Sequence, residues 1–103
     1  MAVVALADVD LFFRAKIEAM LTATGHRLAA AGEAPDVVVA DVNRCDPAAV
    51  VAAAGAVPVL GFGRHTDAAL LRSARAAGFA KVVPRSVLAG RLGDLIADLG
   101  WGT

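Results

Sequence analysis

The chain has one cysteine, Cys45, among its 103 residues. A lone thiol excludes an internal disulfide and a cysteine-rich metal site, and it points to a reducing compartment. Neither sign of charge is in excess: ten Lys and Arg balance ten Asp and Glu. General nucleic-acid binding needs a strongly basic footprint, so no nucleic-acid partner is expected. No apolar run approaches the roughly 20 residues of a membrane span, so no membrane partner is expected either. The opening MAVVALAD lacks the basic region of a secretory leader and meets an acid at Asp8. A cytoplasmic protein is the expectation. Internal repeats, linkers and low-complexity segments are also missing, apart from a bias toward alanine.

Apolar residues make up 58% of the chain and charged residues 19%, the balance of a packed globular protein. The length suits one domain over residues 1–103, with one core. The charges are unevenly spread. Residues 1–50 hold seven acids and four bases, and residues 51–103 hold three acids and six bases. The two halves therefore differ in sign, which allows one mildly acidic and one mildly basic face.

Short apolar runs alternate with segments of helical periodicity. Val3 to Ala7 reads as a strand, followed by DVD (Asp8, Val9, Asp10). A helix follows, with Phe13, Ile17, Met20 and Leu21 on one face, Asp10 as N-cap and Gly25 as its stop. HRLAAA is a weak second strand, GEAPD a turn, and VVVA a third strand. Asp46 and Pro47 open a short alanine-rich helix that Gly55 ends. VPVLGF is a fourth strand. TDAALLRSARAAG is a helix with Leu70, Leu71, Ala74 and Ala77 inward and Arg72 and Arg75 outward. AKVV is a fifth strand. A last helix starts at a Ser86 cap, buries Leu88, Leu92, Leu95, Ile96 and Leu99, and ends at Gly100 with Trp101 folded onto Ile96. Gly90 and Gly93 each cost that helix about 1 kcal/mol relative to Ala, so packing must hold it.

Continuously apolar strands alternating with helices predict a parallel sheet covered on both faces. Five strands predict an α/β, flavodoxin-like, doubly wound sheet of order 2-1-3-4-5. One crossover is too short. Only six residues separate Ala30 from Val37; extended, they span roughly 20 Å, enough to cross back but not to build a helix. The second helix is therefore predicted to be missing or reduced. One sheet face would then be thinly covered, and exposed apolar surface usually marks a partner.

Function in open α/β sheets gathers at the carboxyl ends of the strands. Those ends carry Asp8 and Asp10, then Asp41 and Asn43, then Gly63 to Thr66, then Arg85 and Ser86. Acids converging with a cation are the constellation of Mg²⁺-assisted phosphoryl chemistry.

With these residues in view, the chain resembles the CheY-like receiver domains of two-component response regulators over nearly its whole length. The resemblance rests on the acidic end of strand one, on VVVADVN, on VPVLGF leading to a helix, and on ARAAGFAKVVPRS. It implies Asp41 as the phosphoacceptor position and Asp8, Asp10, Asp41 and Asn43 as Mg²⁺ ligands. Gly63 stands at the switch position and Arg85 at the position of the phosphoryl-contacting lysine. The departures are equally specific. Val9 separates acids that are adjacent in the family, Gly63 has no hydroxyl, RCDP replaces the family's signature after the phosphoacceptor, and Arg is not interchangeable with Lys at such a site.

The leading expectation is thus a stand-alone, degenerate receiver (pseudo-receiver), not an enzyme, that signals by protein–protein contact and requires no cofactor. Its candidate surfaces are the thin face, suited to a homodimer, and a basic side with Arg64, His65, Arg72, Arg75, Lys81, Arg85 and Arg91. Phe12 and Phe13 are adjacent on a helix, so one is core and the other an edge residue or interface anchor. A working phosphoreceiver using Asp41 and Mg²⁺ is the first alternative. An anionic-ligand domain using the Gly61–Thr66 turn is the second, although its G-x-G-x-x-G pattern lacks the third glycine. Plainer roles stay open: Asp41 and Asp10 as hydrogen-bond acceptors or caps, His65 as a surface residue, His26 at a helix C-terminus, and Cys45 as an inert thiol.

Overall fold

The computed structural model of the protein describes residues 1–99. The elements run β1 (Val3–Ala7), α1 (Leu11–Ala23), β2 (Arg27–Leu28), β3 (Val37–Asp41), α2 (Pro47–Ala54), β4 (Val59–Gly63), α3 (Ala68–Ala77), β5 (Lys81–Pro84) and α4 (Arg85–Asp98). The five strands are parallel, in the order β2-β1-β3-β4-β5. This is the expected flavodoxin-like sheet.

No helix joins β2 to β3. Residues 29–36 cross back as an irregular segment, with Gly32 at φ 78. The segment is tied down at both ends. The Asp36 N–H donates to Val3 O at 2.7 Å, and Val3 N–H donates to Asp36 Oδ2 at 2.8 Å. Glu33 accepts from Arg27 Nη1 at 2.7 Å and from the Ala30 N–H at 2.9 Å. These bonds satisfy backbone groups that a helix would otherwise pair. They hold the Glu33 carboxyl at a pKa of about 2, the Arg27 contact being the larger cause.

The strand alternation sorts side chains into two layers. On one face, Val4, Val37, Val39, Leu60 and Phe62 pack under Phe13, Ile17 and Leu21 of α1 and Leu88, Leu92, Leu95 and Ile96 of α4. Each such buried side chain contributes about 1.5–3 kcal/mol. On the other face, Val38, Ala40, Val42, Val59 and Val82 pack with Ala74 and Phe79, and α2 brings no fully buried residue. That layer is thin, as the short crossover predicts.

The helix boundaries obey local rules in most places. Asp10 caps α1 by accepting the Phe13 N–H at 2.9 Å, and Asp46 caps α2 ahead of Pro47. Phe13 is the core residue of its pair, and Phe12 is 87% exposed. Three local expectations are corrected. Ser86 caps nothing, because α4 begins at Arg85 behind Pro84, whose fixed φ suits a helix entry. Helix α3 starts at Ala68 and not at the expected Thr66, with the Asp67 carboxylate bonded to Asn43 and Arg64. Leu70 is exposed, since the helix turns Leu71 and Ala74 to the sheet instead. His26 does close α1, its N–H donating to Leu21 O at 2.8 Å, but its side chain is buried and its Nδ1 accepts the Ala2 N–H at 2.8 Å. The expected roles of Gly100 and Trp101 lie outside the described residues.

The two glycines of α4 behave differently. A methyl group at Gly93 would sit 2.8 Å from Thr24 Cγ2, so α1 and α4 approach closely there. Gly90 has open space around it and precedes a kink at Arg91 (φ −138, ψ 21). Packing therefore accounts for Gly93 and not for Gly90.

Candidate functional site at the carboxyl edge of the sheet

Strand β3 ends on Asp41, whose alternation places it on the α1/α4 face with Val37 and Val39. Its side chain is 1% exposed. Burial of a carboxylate is costly unless it is paired and hydrogen-bonded, and both oxygens are engaged. Oδ1 accepts the Asn43 N–H at 2.9 Å, closing a tight turn on the strand. Oδ2 accepts from Arg85 Nη2 at 3.0 Å.

Arg85 reaches this position from the first turn of α4, immediately after β5. Its guanidinium carbon lies 4.7 Å from the Phe13 ring centroid and 5.5 Å from that of Phe62. The two rings are themselves 4.9 Å apart, tilted by 47°. The guanidinium is thus held by a carboxylate on one side and two aromatic faces on the other, an arrangement that suits its planar, weakly hydrated group better than a compact, strongly hydrated ammonium. Arg85 Nε is buried with no hydrogen-bond partner among the described residues.

A second network lies beside the first. Asn43 Nδ2 donates to Asp67 Oδ2 at 2.6 Å, the Arg64 N–H donates to Asn43 Oδ1 at 2.9 Å, and Arg64 Nε contacts Asp67 at 3.2 Å. Asn43 therefore joins the β3 turn to the β4–α3 turn. This also uses a backbone donor of the Gly61–Thr66 stretch that an anionic ligand would need.

Asp10, Asp41, Asn43, Arg44, Arg64 and Arg85 line one small hollow of about 210 Å³. Three of the four expected metal ligands meet there, and Asp8 does not. Asp8 has φ 58 and is exposed, and it lines a different hollow on the opposite face. The left-handed backbone at Asp8 breaks the alternation that would otherwise leave the two acids on one side, and Val9 between them packs against the α1/α4 core. Asp10 is already occupied as the α1 cap. Its carboxyl is held below the usual range, chiefly by the Phe13 N–H, with Arg85 and Arg44 adding to the effect. Among the described residues no three His, Cys, Asp or Glu side chains are grouped to hold a metal ion. The Mg²⁺ ion that the fold family implies is not fitted by this set. Its carboxylates are dispersed or engaged, and three guanidinium groups share the hollow.

Gly63 ends β4 at the expected switch position. A Cβ there would stand 2.5 Å from Val42 Cγ2 and 2.9 Å from Asn43 Oδ1. Val42 and Asn43 thus fill the space that a hydroxyl-bearing side chain would enter. Arg44 lines the hollow although it is not among the expected site residues; its position three residues past the strand-end acid is the signal for it in the sequence. Cys45 is half-buried, and burial, with the Asp8 and Asp41 carboxylates, pushes its thiol up.

The other expected contact residues are dispersed. Arg64, His65, Arg72 and Arg75 are exposed, although Arg75 Nη2 donates to Val82 O at 2.9 Å. Lys81 pairs with Asp98 at 3.1 Å and Arg91 with Asp94 at 3.8 Å. Phe12 projects at the N-terminus of α1 beside Leu11, which is 80% exposed. Among the described residues no helix is long and apolar enough to cross a membrane.

A parallel 2-1-3-4-5 sheet that presents an acid at the end of its central strand, opposite a cation after its last, has the architecture of a CheY-like receiver domain. The comparisons with solved proteins agree. The chain is similar to NtrX from Brucella abortus, with a TM-score of 0.76 and 20% identity over 95% of this chain, which spans only 26% of the NtrX chain. It is similar to a response regulator protein from Burkholderia multivorans, with a TM-score of 0.66 and 26% identity over 100% of this chain and 98% of that one. It is also similar to the non-phosphorylated HemR receiver domain from Leptospira biflexa, with a TM-score of 0.64 and 16% identity over 95% of this chain and 90% of that one. No protein-family model and no curated protein matches the chain.

Proposed function

We propose that this chain is a pseudo-receiver: a cytoplasmic, non-enzymatic signalling adaptor that acts through protein–protein contact and needs neither a phosphoryl group on Asp41 nor a bound Mg²⁺. The receiver fold supports the signalling role. The observation that carries the finer reading is the Asp41 carboxylate, 1% exposed, with one oxygen on the Asn43 N–H and the other on Arg85. A carboxylate attacks phosphorus only when an oxygen is free and in line. Here the guanidinium occupies that side and supplies internally the positive charge that a phosphoryl group would meet. Crowding at Gly63 supports the same reading, since no hydroxyl is available there to follow a phosphoryl group. The balanced charge of the chain supports a protein partner over a nucleic acid.

The test is an NMR titration of the protein with Mg²⁺ and beryllofluoride, a mimic of the phosphoryl group on a carboxylate. The expected outcome is no saturable shift at the amides of Asp41, Val42 and Asn43. Saturable shifts there, abolished by Asp41→Asn, would establish the working phosphoreceiver and overturn the proposal.

A further inference from the structure

The sheet face opposite Asp41 carries a hollow of about 650 Å³, beside α2 and over β1 and β3. Its floor is Ala5, Ala7 and Val38, and Ala53 and Val57 form its wall. It lies where a helix between β2 and β3 would cover the sheet, and residues 29–36 form none. Asp8 and Asp46 stand on its rim at the carboxyl edge. Among the described residues neither acid is in an ion pair, and Asp46 is bound only through its Oδ1 as the α2 cap.

We infer that this hollow docks an amphipathic helix of a partner protein, with large apolar side chains turned to the sheet and a lysine or arginine against Asp8 and Asp46. The shape, volume and charge of the hollow each restrict the occupant. A helix is the element that completes a layer on a sheet face. A five-residue strand offers roughly 17 Å of length, which about eleven helical residues match. The floor is built from small side chains, so the occupant must bring the volume: Leu, Ile or Phe at i, i+3, i+4 and i+7. A second copy of this chain fits poorly, because its matching face is the same alanine-lined hollow, and two hollows placed together leave empty space. The two acids select a cation at one end of the helix, which also sets its direction.

This inference deepens the adaptor reading by naming the class of partner, and its test is separate. The ¹⁵N-labelled protein is titrated with designed helices of about twelve residues. These carry Leu, Ile or Phe anchors and a terminal lysine, with a glutamate version of each. The expected result is shifts at Ala5, Ala7, Val38 and Val57 with a lysine peptide and about tenfold weaker binding of its glutamate version. Ala53→Arg, on the exposed side of α2 where Arg is a good helix former, is expected to abolish binding with the spectrum otherwise intact. Silence across all anchors, equal binding of both versions, or binding that survives Ala53→Arg overturns the inference. So does sedimentation showing a dimer that Ala53→Arg dissociates. The beryllofluoride titration is read at Asp41 to Asn43, so either proposal can fail alone.

Discussion

Arg85 Nη2 donates to Asp41 Oδ2 at 3.0 Å across 44 residues of sequence, and the same guanidinium lies against Phe13 and Phe62. One side chain thereby ties α4, β3, α1 and β4 together at the edge where receivers carry out their chemistry.

Removing Arg85 leaves a buried carboxylate without its partner. Arg85→Ala is expected to destabilise the fold by about 1–3 kcal/mol, a range reduced from that of a fully buried pair because Arg85 is 42% exposed. Arg85→Lys is expected to recover only part of this, since a compact, strongly hydrated ammonium stacks less well on the rings. Asp41→Asn combined with Arg85→Ala is expected to cost less than the sum of the single changes. Urea denaturation of the four proteins gives the coupling, and strict additivity would refute it.

Restoring a hydroxyl at the switch position is expected to harm the protein. Gly63→Ser drives a side chain into Val42 and Asn43, at a cost of about 1–3 kcal/mol. A thermal melt at or above that of the native chain would show that the site accommodates the hydroxyl.

The two glycines of α4 are expected to respond with opposite signs. Gly90→Ala meets open space and is expected to stabilise by about 0.5–1 kcal/mol. Gly93→Ala meets Thr24 at 2.8 Å and is expected to destabilise; Thr24→Ala in the same chain relieves the clash. Equal effects of the two single changes in denaturant melts would remove the close α1–α4 contact from consideration.

Glu33 links pH to the irregular crossover. Its carboxyl is depressed from 4.5 to about 2 by Arg27 and the Ala30 N–H. A carboxylate with a lowered folded-state pKa contributes stability that is complete above its unfolded value and is lost as pH falls through the folded one. The native chain is therefore expected to exceed Glu33→Gln in stability at pH 6, and the difference is expected to shrink between about pH 4.5 and pH 2. Thermal melts of both proteins across that range, with hydrogen exchange at the Ala30 amide, measure it. A difference that does not change with pH would mean the contacts are idle.

Apolar period and turn chemistry were sufficient to read the strands, the parallel order and the lost second helix. The reason is that burial on both faces, caps such as Asp10 and Asp46, and a crossover too short for a helix are all local properties. Placing Asp41 at the carboxyl edge needed only the end of an apolar run. Other features depend on residues far apart in sequence. Whether Asp8 and Asp10 act together turned on the left-handed backbone at Asp8. Leu70 and Leu71 are adjacent leucines, and only docking against β4 and β5 chose between them. His26 is a helix-end residue, and only the fold brought the Ala2 N–H to its Nδ1.

By itself, the sequence determined a five-stranded receiver-like sheet with one thin face and an acid at the end of its central strand, because strand and helix periods are written in near neighbours. Only the tertiary structure decided what that acid touches. Arg85 pairs with Asp41, Val42 and Asn43 fill the space beside Gly63, and Asp8 is turned to the far face. Each outcome depends on side chains that only the packed sheet and helices bring within a few ångströms of one another, where desolvation makes a single pairing decisive.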